Sequence, residues 1–338
     1  MGHNRTACLC ICNLIVANLP LFAVEQRAES IPFKLYGNHL LVVQGTLGKL
    51  KKRNLLLDTG ANPSVVDQQL ASQLGLQSLT SQPGTMNVVS GRIDTHYASL
   101  SGLQLGPLSR QSLPVVVADL GFLRSQIGTR IDAVVGLDFL GQSSFRIDYE
   151  NKRIIFGLID ASASAVPFDT GPPLVTVQML VDNKPVRVLV DTGTDGLILF
   201  RNHLGGWEAR LSSSSMKISD LGGGTSLPMI VATDTRVGNV EMGPRNVYVA
   251  DGHGCCDFDG LLGIAAPRVK EIGFDFEHRL ITWQLRDRAI PSMSEAGPRN
   301  CLSASTPGLL PRGLGASGLS DSGCPTVPSP RIVTIRDR

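Results

Sequence analysis

The sequence predicts an all-β protein made of two related halves, and three observations support this prediction. Short β-branched and apolar runs alternate with Gly, Pro, Asn and Asp, a pattern typical of strands joined by tight turns. A segment of three apolar residues followed by Asp-Thr-Gly occurs twice, and further landmarks recur in the same order. The chain has 338 residues, 42% of them hydrophobic, which is enough for two domains with sizeable cores.

Individual elements follow from local patterns. One helix is predicted directly after the first Asp-Thr-Gly, with Ser64 as a candidate N-cap, apolar residues at helical spacing through Leu74, and Gly75 as its end. The remaining signals indicate strands, so the predicted class is all-β with few helices. The clearest predicted strands are residues 40–43, 115–117, 154–156, 186–190 and 247–249.

The repeat extends well beyond one motif. Leu55–Ala61 (LLLDTGA) recurs 133 residues later as Val188–Thr194 (VLVDTGT). Downstream, Val-Val-Gly at 134–136 recurs 127 residues later as Leu-Leu-Gly at 261–263. Other landmarks keep the same order with small insertions and deletions between them. A duplicated unit explains this pattern better than chance similarity does.

The two units occupy residues 31–157 and 166–285, and the flanking segments differ from them in composition. Residues 1–25 have a basic start and a mostly apolar stretch, which predicts a signal peptide; a retained membrane anchor is the alternative. We therefore expect the protein to be exported to the periplasm or secreted. It would contact the membrane only if the leader is retained. Residues 286–338 are rich in Pro, Gly and Ser and are predicted to be disordered.

Charge and cysteine content narrow the function classes. The formal net charge is +2 without a marked basic run, so a nucleic-acid partner is not expected. No group of His and Cys has the spacing of a metal site, so neither a metal nor a cofactor is expected. Once the leader is removed, three disulfide pairings are open to the remaining cysteines, which are Cys255, Cys256, Cys301 and Cys324.

The repeated Asp-Thr-Gly carries a recognisable chemistry. An Asp at the end of an apolar strand is costly to bury unless N–H groups of the following turn donate to it. The Thr hydroxyl adds a local hydrogen bond, and the Gly permits close approach of the backbone. Two such carboxylates at equivalent places in a duplicated fold can face each other and share one proton. The pair then acts as an acid and a base within one site.

On these residues the chain resembles the aspartic proteases, specifically the bacterial retropepsin-like kind with two lobes fused in one polypeptide. The resemblance covers residues 31–285 and implies two closed β-barrel lobes with a cleft between them. It implies an endopeptidase that cleaves peptide or unfolded protein with a water activated between Asp58 and Asp191, without a covalent intermediate. The residues implied to support the two active-site turns are Thr59, Gly60, Ala61, Thr192, Gly193 and Thr194.

The resemblance also implies a flap hairpin over the cleft. The Gly-rich segments 89–92 and 221–224 are the candidate tips, and the tyrosine of pepsin flaps has no secure counterpart. The candidate flap residues are Gly91, Tyr97, Gly222, Gly223 and Gly224.

One asymmetry between the two motifs suggests where the shared proton lies. Thr194 can hydrogen-bond the Asp191 carboxylate, whereas Ala61 at the matching place cannot serve Asp58, so Asp58 is expected to hold the proton.

Two alternatives to a single-chain enzyme stay open. The chain could be a non-catalytic peptide-binding or scaffolding protein on the same fold. It could also be an obligate dimer in which each half pairs with another chain. The short join between the halves favours pairing within one chain, and a monomer is expected.

Overall fold

The computed structural model describes residues 29–79, 83–157, 159, 164–171, 174–207, 210–212, 214–251, 257–266, 268–286 and 335–337. The predicted signal peptide and cysteines 255, 256, 301 and 324 lie outside these ranges. The same holds for the predicted tail except residues 286 and 335–337. No helix within the described ranges is long and apolar enough to cross a bilayer.

Strands dominate the described residues, and short helices connect some of them. The strands of the first half are β1 (Ser30–Pro32), β2 (Lys34–Tyr36), β3 (Leu40–Leu47), β4 (Leu50–Leu57), β5 (Val65–Asp67), β6 (Gly84–Val88), β7 (Gly91–Leu100), β8 (Leu103–Leu105), β9 (Leu108–Arg110), β10 (Leu113–Ala118), β11 (Ala133–Val135), β12 (Phe145–Asp148) and β13 (Arg153–Phe156). The helices of this half are α1 (Gln68–Leu74), α2 (Gly121–Ile127) and α3 (Leu137–Leu140).

The second half is described in the same way. Its strands are β14 (Ser164–Pro167), β15 (Asp169–Gly171), β16 (Leu174–Val181), β17 (Lys184–Asp191), β18 (Leu197–Phe200), β19 (Ser215–Asp220), β20 (Gly223–Ala232), β21 (Thr235–Val237), β22 (Val240–Glu241), β23 (Arg245–Ala250), β24 (Gly260–Gly263), β25 (Val269–Asp275) and β26 (Leu280–Leu285). A 3-10 helix covers Arg201–His203, and β27 (Ile335–Asp337) pairs with β6 from the end of the chain.

The two halves form lobes with the same strand order. The sheet of the first lobe runs β6-β7-β10-β5-β11-β4-β3-β8-β9, with β2 also paired to β3. The sheet of the second lobe runs β19-β20-β23-β18-β24-β17-β16-β21-β22, with β15 also paired to β16. Strand for strand these paths correspond, so the molecule is an all-β, two-lobed fold. Hydrogen bonds that would close either path into a barrel are not found among the described strands.

A third sheet joins the lobes. Its order is β1-β13-β12-β25-β26-β14, three strands from each half, and β12 pairs with β25 at the junction. The rings of Phe145 and Phe274 stack there with centroids 4.9 Å apart. Both side chains are fully buried in a hydrophobic cluster that extends through both lobes. The lobes are therefore packed together through a shared sheet and a shared core.

The predicted helix starts later than expected. Ser64 was the expected cap, but the cap is Asp67, whose carboxylate accepts from the N–H groups of Gln69 and Leu70. The reason is that Val65 and Val66 pair with both β10 and β11 and so continue the sheet. The predicted end is confirmed, since Gly75 adopts a left-handed conformation with φ of 66°.

Candidate active site

The first site carboxylate lies at the end of a buried strand. Leu55, Leu56 and Leu57 of β4 are at most 2% exposed, which fixes the strand in the core and places Asp58 directly after it. The N–H of Asp58 donates to the Val135 carbonyl at 3.0 Å. In the following turn, the N–H of Gly60 donates to Asp58 Oδ1 at 2.8 Å. The main chain of Asp58 is therefore fixed by Val135, and one oxygen of its carboxylate is held by the following turn.

The second site carboxylate is held in the same way by the second lobe. Strand β17 ends at Asp191, and the Gly193 N–H donates to Asp191 Oδ1 at 2.6 Å. The Ile264 N–H donates to the Asp191 carbonyl at 3.2 Å. Both Asp58 and Asp191 have no solvent-exposed surface in this closed form.

The two turns face each other across the lobe boundary at very short range. A Cβ placed on Gly60 would lie 2.6 Å from Asp191 Cγ and within 2.8 Å of both carboxylate oxygens. Only glycine fits at this position, because a real Cβ does not approach another atom so closely. The sequence expectation that Asp58 and Asp191 meet between the halves is consistent with this geometry.

The two threonines cross-link the lobes. Thr59 Oγ1 donates to the Val190 carbonyl at 2.8 Å, and Thr192 Oγ1 donates to the Leu57 carbonyl at 3.3 Å. Each hydroxyl also accepts the backbone N–H of the other threonine, at 3.0 and 3.1 Å. All four hydrogen bonds are buried. They fix the separation of the two Asp-bearing turns. From the sequence, each threonine hydroxyl is expected to form only a local hydrogen bond within its own turn.

The repeated elements at residues 134–136 and 261–263 pack behind the two turns. Strand β11 runs parallel to β4, and β24 runs parallel to β17 with Asp191 opposite Gly263. A Cβ on Gly136 would lie 2.3 Å from the Ala61 carbonyl oxygen, and one on Gly263 would lie 2.6 Å from the Gly196 nitrogen. Larger side chains would push the turns out of place.

Burial and charge together set the ionisation of the pair. Burial raises the pKa of the Asp58 carboxyl well above its ordinary value, and the negative charge of Asp191 raises it further. Hydrogen bonds from the backbone of Gly60 and Ala61 act in the opposite direction but are weaker. The protonated form of Asp58 is therefore favoured, and the apparent pKa values belong to the pair.

The residues after the two motifs differ as the sequence indicated. Ala61 is fully buried in an apolar cluster of the first lobe. Thr194 is also fully buried, and its Oγ1 accepts the N–H of Gly196 at 3.3 Å. Because that oxygen acts as an acceptor, the hydroxyl proton remains available for a neighbouring acceptor.

Two hairpins carry the predicted flap tips. The first flap consists of β6 and β7 with the turn Val89–Ser90, and the second consists of β19 and β20 with the turn Leu221–Gly222. Gly91 and Gly223, which begin the second strand of each flap, have φ of 156° and 113°, values that favour glycine. Gly224 pairs with Ser219 within the second flap.

The flap tips contact each other. The Ser90 N–H donates to Asp220 Oδ2 at 2.7 Å, and the Ser90 hydroxyl donates to Asp220 Oδ1 at 2.5 Å. Asp220 also accepts the Gly222 N–H at 2.8 Å. A Cβ on Gly222 would lie 2.3 Å from Ser90 Oγ, so a larger residue would have to move the Ser90 hydroxyl away from Asp220.

Each flap tip packs an apolar residue against a hydrophobic cluster of the opposite lobe. Val89 of the first flap packs in a cluster with Met216 and Ile218 of the second flap. Leu221 of the second flap packs against the cluster that contains Met86 and Val88. The flap tips are thus interlocked by hydrogen bonds and by apolar contacts between the two lobes.

Tyr97 does not lie at the tip of the flap. It lies on β7 opposite Val116 of β10, at the base of the first flap. Its ring packs over Gly84, where a Cβ would lie 2.6 Å from Tyr97 Cε2. The structure thus places Tyr97 on the flap hairpin but away from the turn.

Two supporting acids were missed by sequence reasoning. Asp220 shares the buried face of β19 with Met216 and Ile218, and an acid on an apolar strand face was the available signal. Asp138 accepts from the Ser64 N–H at 3.0 Å and from its hydroxyl at 2.7 Å, while Ser64 Oγ accepts the Gly136 N–H. Burial raises the pKa of both carboxyls. For Asp138 the sequence offered no signal.

The sequence matches one known protein family. A family model described as aspartyl protease matches residues 43–139 and 177–266, which are more than half of the chain. These two matched regions contain Asp58 with its turn and Asp191 with its turn. None of the curated proteins matches the chain. The chain belongs to the aspartyl protease family.

Proposed function

We propose that the protein is an aspartic endopeptidase of the bacterial retropepsin-like kind, with both catalytic carboxylates in one chain. The observation that carries this proposal is the close approach of the two Asp-Thr-Gly turns, with Gly60 packed directly on the Asp191 carboxylate. Two fully buried carboxylates at one point are costly for a structural or binding role. Their arrangement suits a pair that shares a proton.

In this mechanism, Asp58 carries the proton and Asp191 is ionised in the free enzyme. A water held between them gives a proton to Asp191 as it attacks the peptide carbonyl carbon. Asp58 donates its proton to the carbonyl oxygen, and a tetrahedral intermediate forms without a bond to the protein. Two aspartates that share one proton are the general pattern of aspartic proteases. The Thr194 hydroxyl supports the ionised form of Asp191.

Substrate access requires the flaps to open. Neither carboxylate is exposed in the closed form, so the interlocked tips must separate before a peptide can enter. The substrate class that fits a cleft between two lobes is an extended peptide or an unfolded protein. A folded protein would need a local segment free to enter.

The direct test is cleavage of an unfolded protein by the parent and by Asp58→Asn over a range of pH. Asparagine keeps the shape and the acceptor oxygen for Gly60 but cannot carry the proton. We expect the variant to lose at least about a thousandfold in kcat/KM. A folded Asp58→Asn protein with parental activity would overturn the proposal.

A binding measurement on the same pair separates the enzyme from a peptide-binding protein. If the cleft only binds, peptides should bind both proteins and neither should cleave them. If the proposal holds, only the parent yields fragments, and the variant binds without turnover.

A further inference from the structure

A polar cavity lies next to the Asp191 turn in the second lobe. Its volume is about 140 Å³, and its lining includes Asp195, Arg245, Tyr248 and Arg268. Asp195 follows Asp191 by four residues, so the chain between them can extend at most about 14 Å. The lining of the cavity therefore begins within about 14 Å of Asp191 along the chain, on the segment that follows the second site carboxylate.

Arg245 lines this cavity with a largely buried side chain. Its side chain belongs to a residue only 9% exposed, and its Nε finds no hydrogen-bond partner among the described residues. Burial and the neighbouring Arg268 lower the pKa of Arg245 to about 10, so it stays charged at neutral pH. A buried guanidinium without an acceptor lowers the stability of the fold.

The fold itself does not require an arginine here. Arg245 is the first residue of β23 and lies opposite Ala232, the last residue of β20. In the first lobe the corresponding strand β10 begins at Leu113, opposite Leu100 at the end of β7. Leu113 is 1% exposed and packs in the core. The same position is thus filled by leucine in one lobe and by a buried arginine in the other.

The charges in the cavity do not balance. Within the described part of the chain, neither Arg245 nor Arg268 forms an ion pair within 4.0 Å. Asp195 is the acid of the lining, and its Oδ2 lies 4.0 Å from Nδ1 of His39, from the first lobe. One carboxylate against two guanidinium groups leaves an excess positive charge that a second carboxylate can neutralise.

We propose that Arg245 and Arg268 form a subsite for an acidic side chain, Asp or Glu, of the peptide substrate. This inference rests on the proposed function and names the substrate class of that cleft. The bound carboxylate accepts from the Arg245 guanidinium and supplies the acceptor that the free protein lacks. The ring of Tyr248, which lies against Gly196, gives the methylene groups of the side chain an apolar wall.

The test measures peptide binding to the Asp58→Asn protein, which reports on the subsite without turnover. In a series of peptides, one glutamine at a time is replaced by glutamate. We expect one position where glutamate binds about tenfold tighter than glutamine, as for a charge-assisted hydrogen bond. Arg245→Leu in the same background should reduce this ratio to near one. High salt should reduce it as well.

Two controls keep the result interpretable. Arg201→Leu removes an exposed arginine of the same lobe, paired with Asp251, and should leave the glutamate-to-glutamine ratio at its starting value. Because leucine is the residue of the first lobe, Arg245→Leu should melt at or above the temperature of its background. If it fails to fold, Arg268→Ala gives the same readout.

The inference is wrong if no position prefers glutamate, or if the ratio survives both Arg245→Leu and Arg268→Ala. A failure of the proposed function looks different. In that case the protein with Asp58 intact would bind the peptides and cleave none of them, while the glutamate preference would still be measured.

Discussion

Asp58 illustrates how the site opposes the stability of the fold. Its carboxyl is fully buried, and burial together with the charge of Asp191 raises its pKa. In the unfolded chain the same carboxyl ionises freely in water. Folding at neutral pH must therefore retain a proton on Asp58 or bury a second charge next to Asp191. Either way, the pair lowers the free energy of unfolding.

This cost gives a pH-dependent prediction for Asp58→Asn. Below about pH 3.8, the ordinary value for this carboxyl, Asp58 is protonated in both the folded and the unfolded state, so the variant gains nothing. As the pH rises toward the raised folded pKa, the parent loses about 1.4 kcal/mol of unfolding free energy per pH unit from this group. The variant lacks this ionisable group and has no such loss, so the difference in unfolding free energy in its favour should grow with pH. Denaturant unfolding of both proteins measures the difference.

The raised pKa predicts that the stability difference between Asp58→Asn and the parent increases with pH. Equal stability of parent and variant at all pH values, or an advantage of the variant that grows toward acid, would contradict the raised pKa. Asp94→Asn serves as a control, because Asp94 is an exposed residue of β7 and should show no such trend.

Thr194 is predicted to set the acid limb of the activity profile. If its hydroxyl supports the ionised Asp191, Thr194→Ala raises the Asp191 pKa and moves the acid limb to higher pH. One hydrogen bond corresponds to a shift of up to about one pH unit. Thr194→Ser keeps the hydroxyl and should stay close to the parent. An alanine profile that overlays the parent on the acid side would rule out this role for Thr194.

At the scale of elements, the flap interlock is the most specific feature. Asp220 accepts three hydrogen bonds, two of them from Ser90 of the opposite lobe. Removal of its carboxylate leaves the Ser90 N–H without an acceptor, which costs about 1–3 kcal/mol. One buried side chain thus accepts both of the hydrogen bonds that join the two tips.

Asp220→Ala is therefore expected to loosen the tips. Amide hydrogen exchange at residues 88–91 should become at least about fivefold faster, because the opening free energy falls by at least about 1 kcal/mol when the hydrogen bonds are lost. Asp94→Ala changes another acid of the first flap and should leave exchange at the tips unchanged. Parental protection of the tips in Asp220→Ala would show that the apolar contacts of Val89 and Leu221 alone hold them closed.

The elements also show where sequence patterns succeed and where they fail. The predicted strands 40–43, 115–117, 154–156, 186–190 and 247–249 all lie within observed strands, because β-branched runs bounded by turn residues are a strong local signal. The start of α1 was wrong because Val65 and Val66 satisfy helical periodicity but find strand partners in β10 and β11. Those partners are distant in sequence, so local periodicity could not reveal them.

Some features of the candidate site could likewise be predicted from the sequence, and others could not. The repeat predicted the facing turns, since equivalent positions in two related lobes meet at the interface between them. The contact of Ser90 with Asp220 could not be predicted, because it depends on how closely two hairpins from different lobes approach. The pairing of Asp138 with Ser64 likewise depends on the packing of α3 against the start of β5.

At the scale of the molecule, two sets of contacts hold the lobes in register. The shared sheet joins them at β12 and β25, and the paired hydrogen bonds of Thr59 and Thr192 join them at the carboxylates. The short join between the halves favours pairing within one chain, because it keeps the effective concentration of the partner lobe high. We therefore expect a monomer with one complete site.

Mixing two inactive variants tests the central claim most directly. Asp58→Asn and Asp191→Asn each remove one member of the proposed pair, and each protein alone should lose nearly all cleavage of an unfolded substrate. If both carboxylates of a site come from one chain, an equimolar mixture of the two variants stays inactive. Activity that returns on mixing would show that the site forms between chains. Activity in either folded variant alone would show that the two aspartates do not act as a pair.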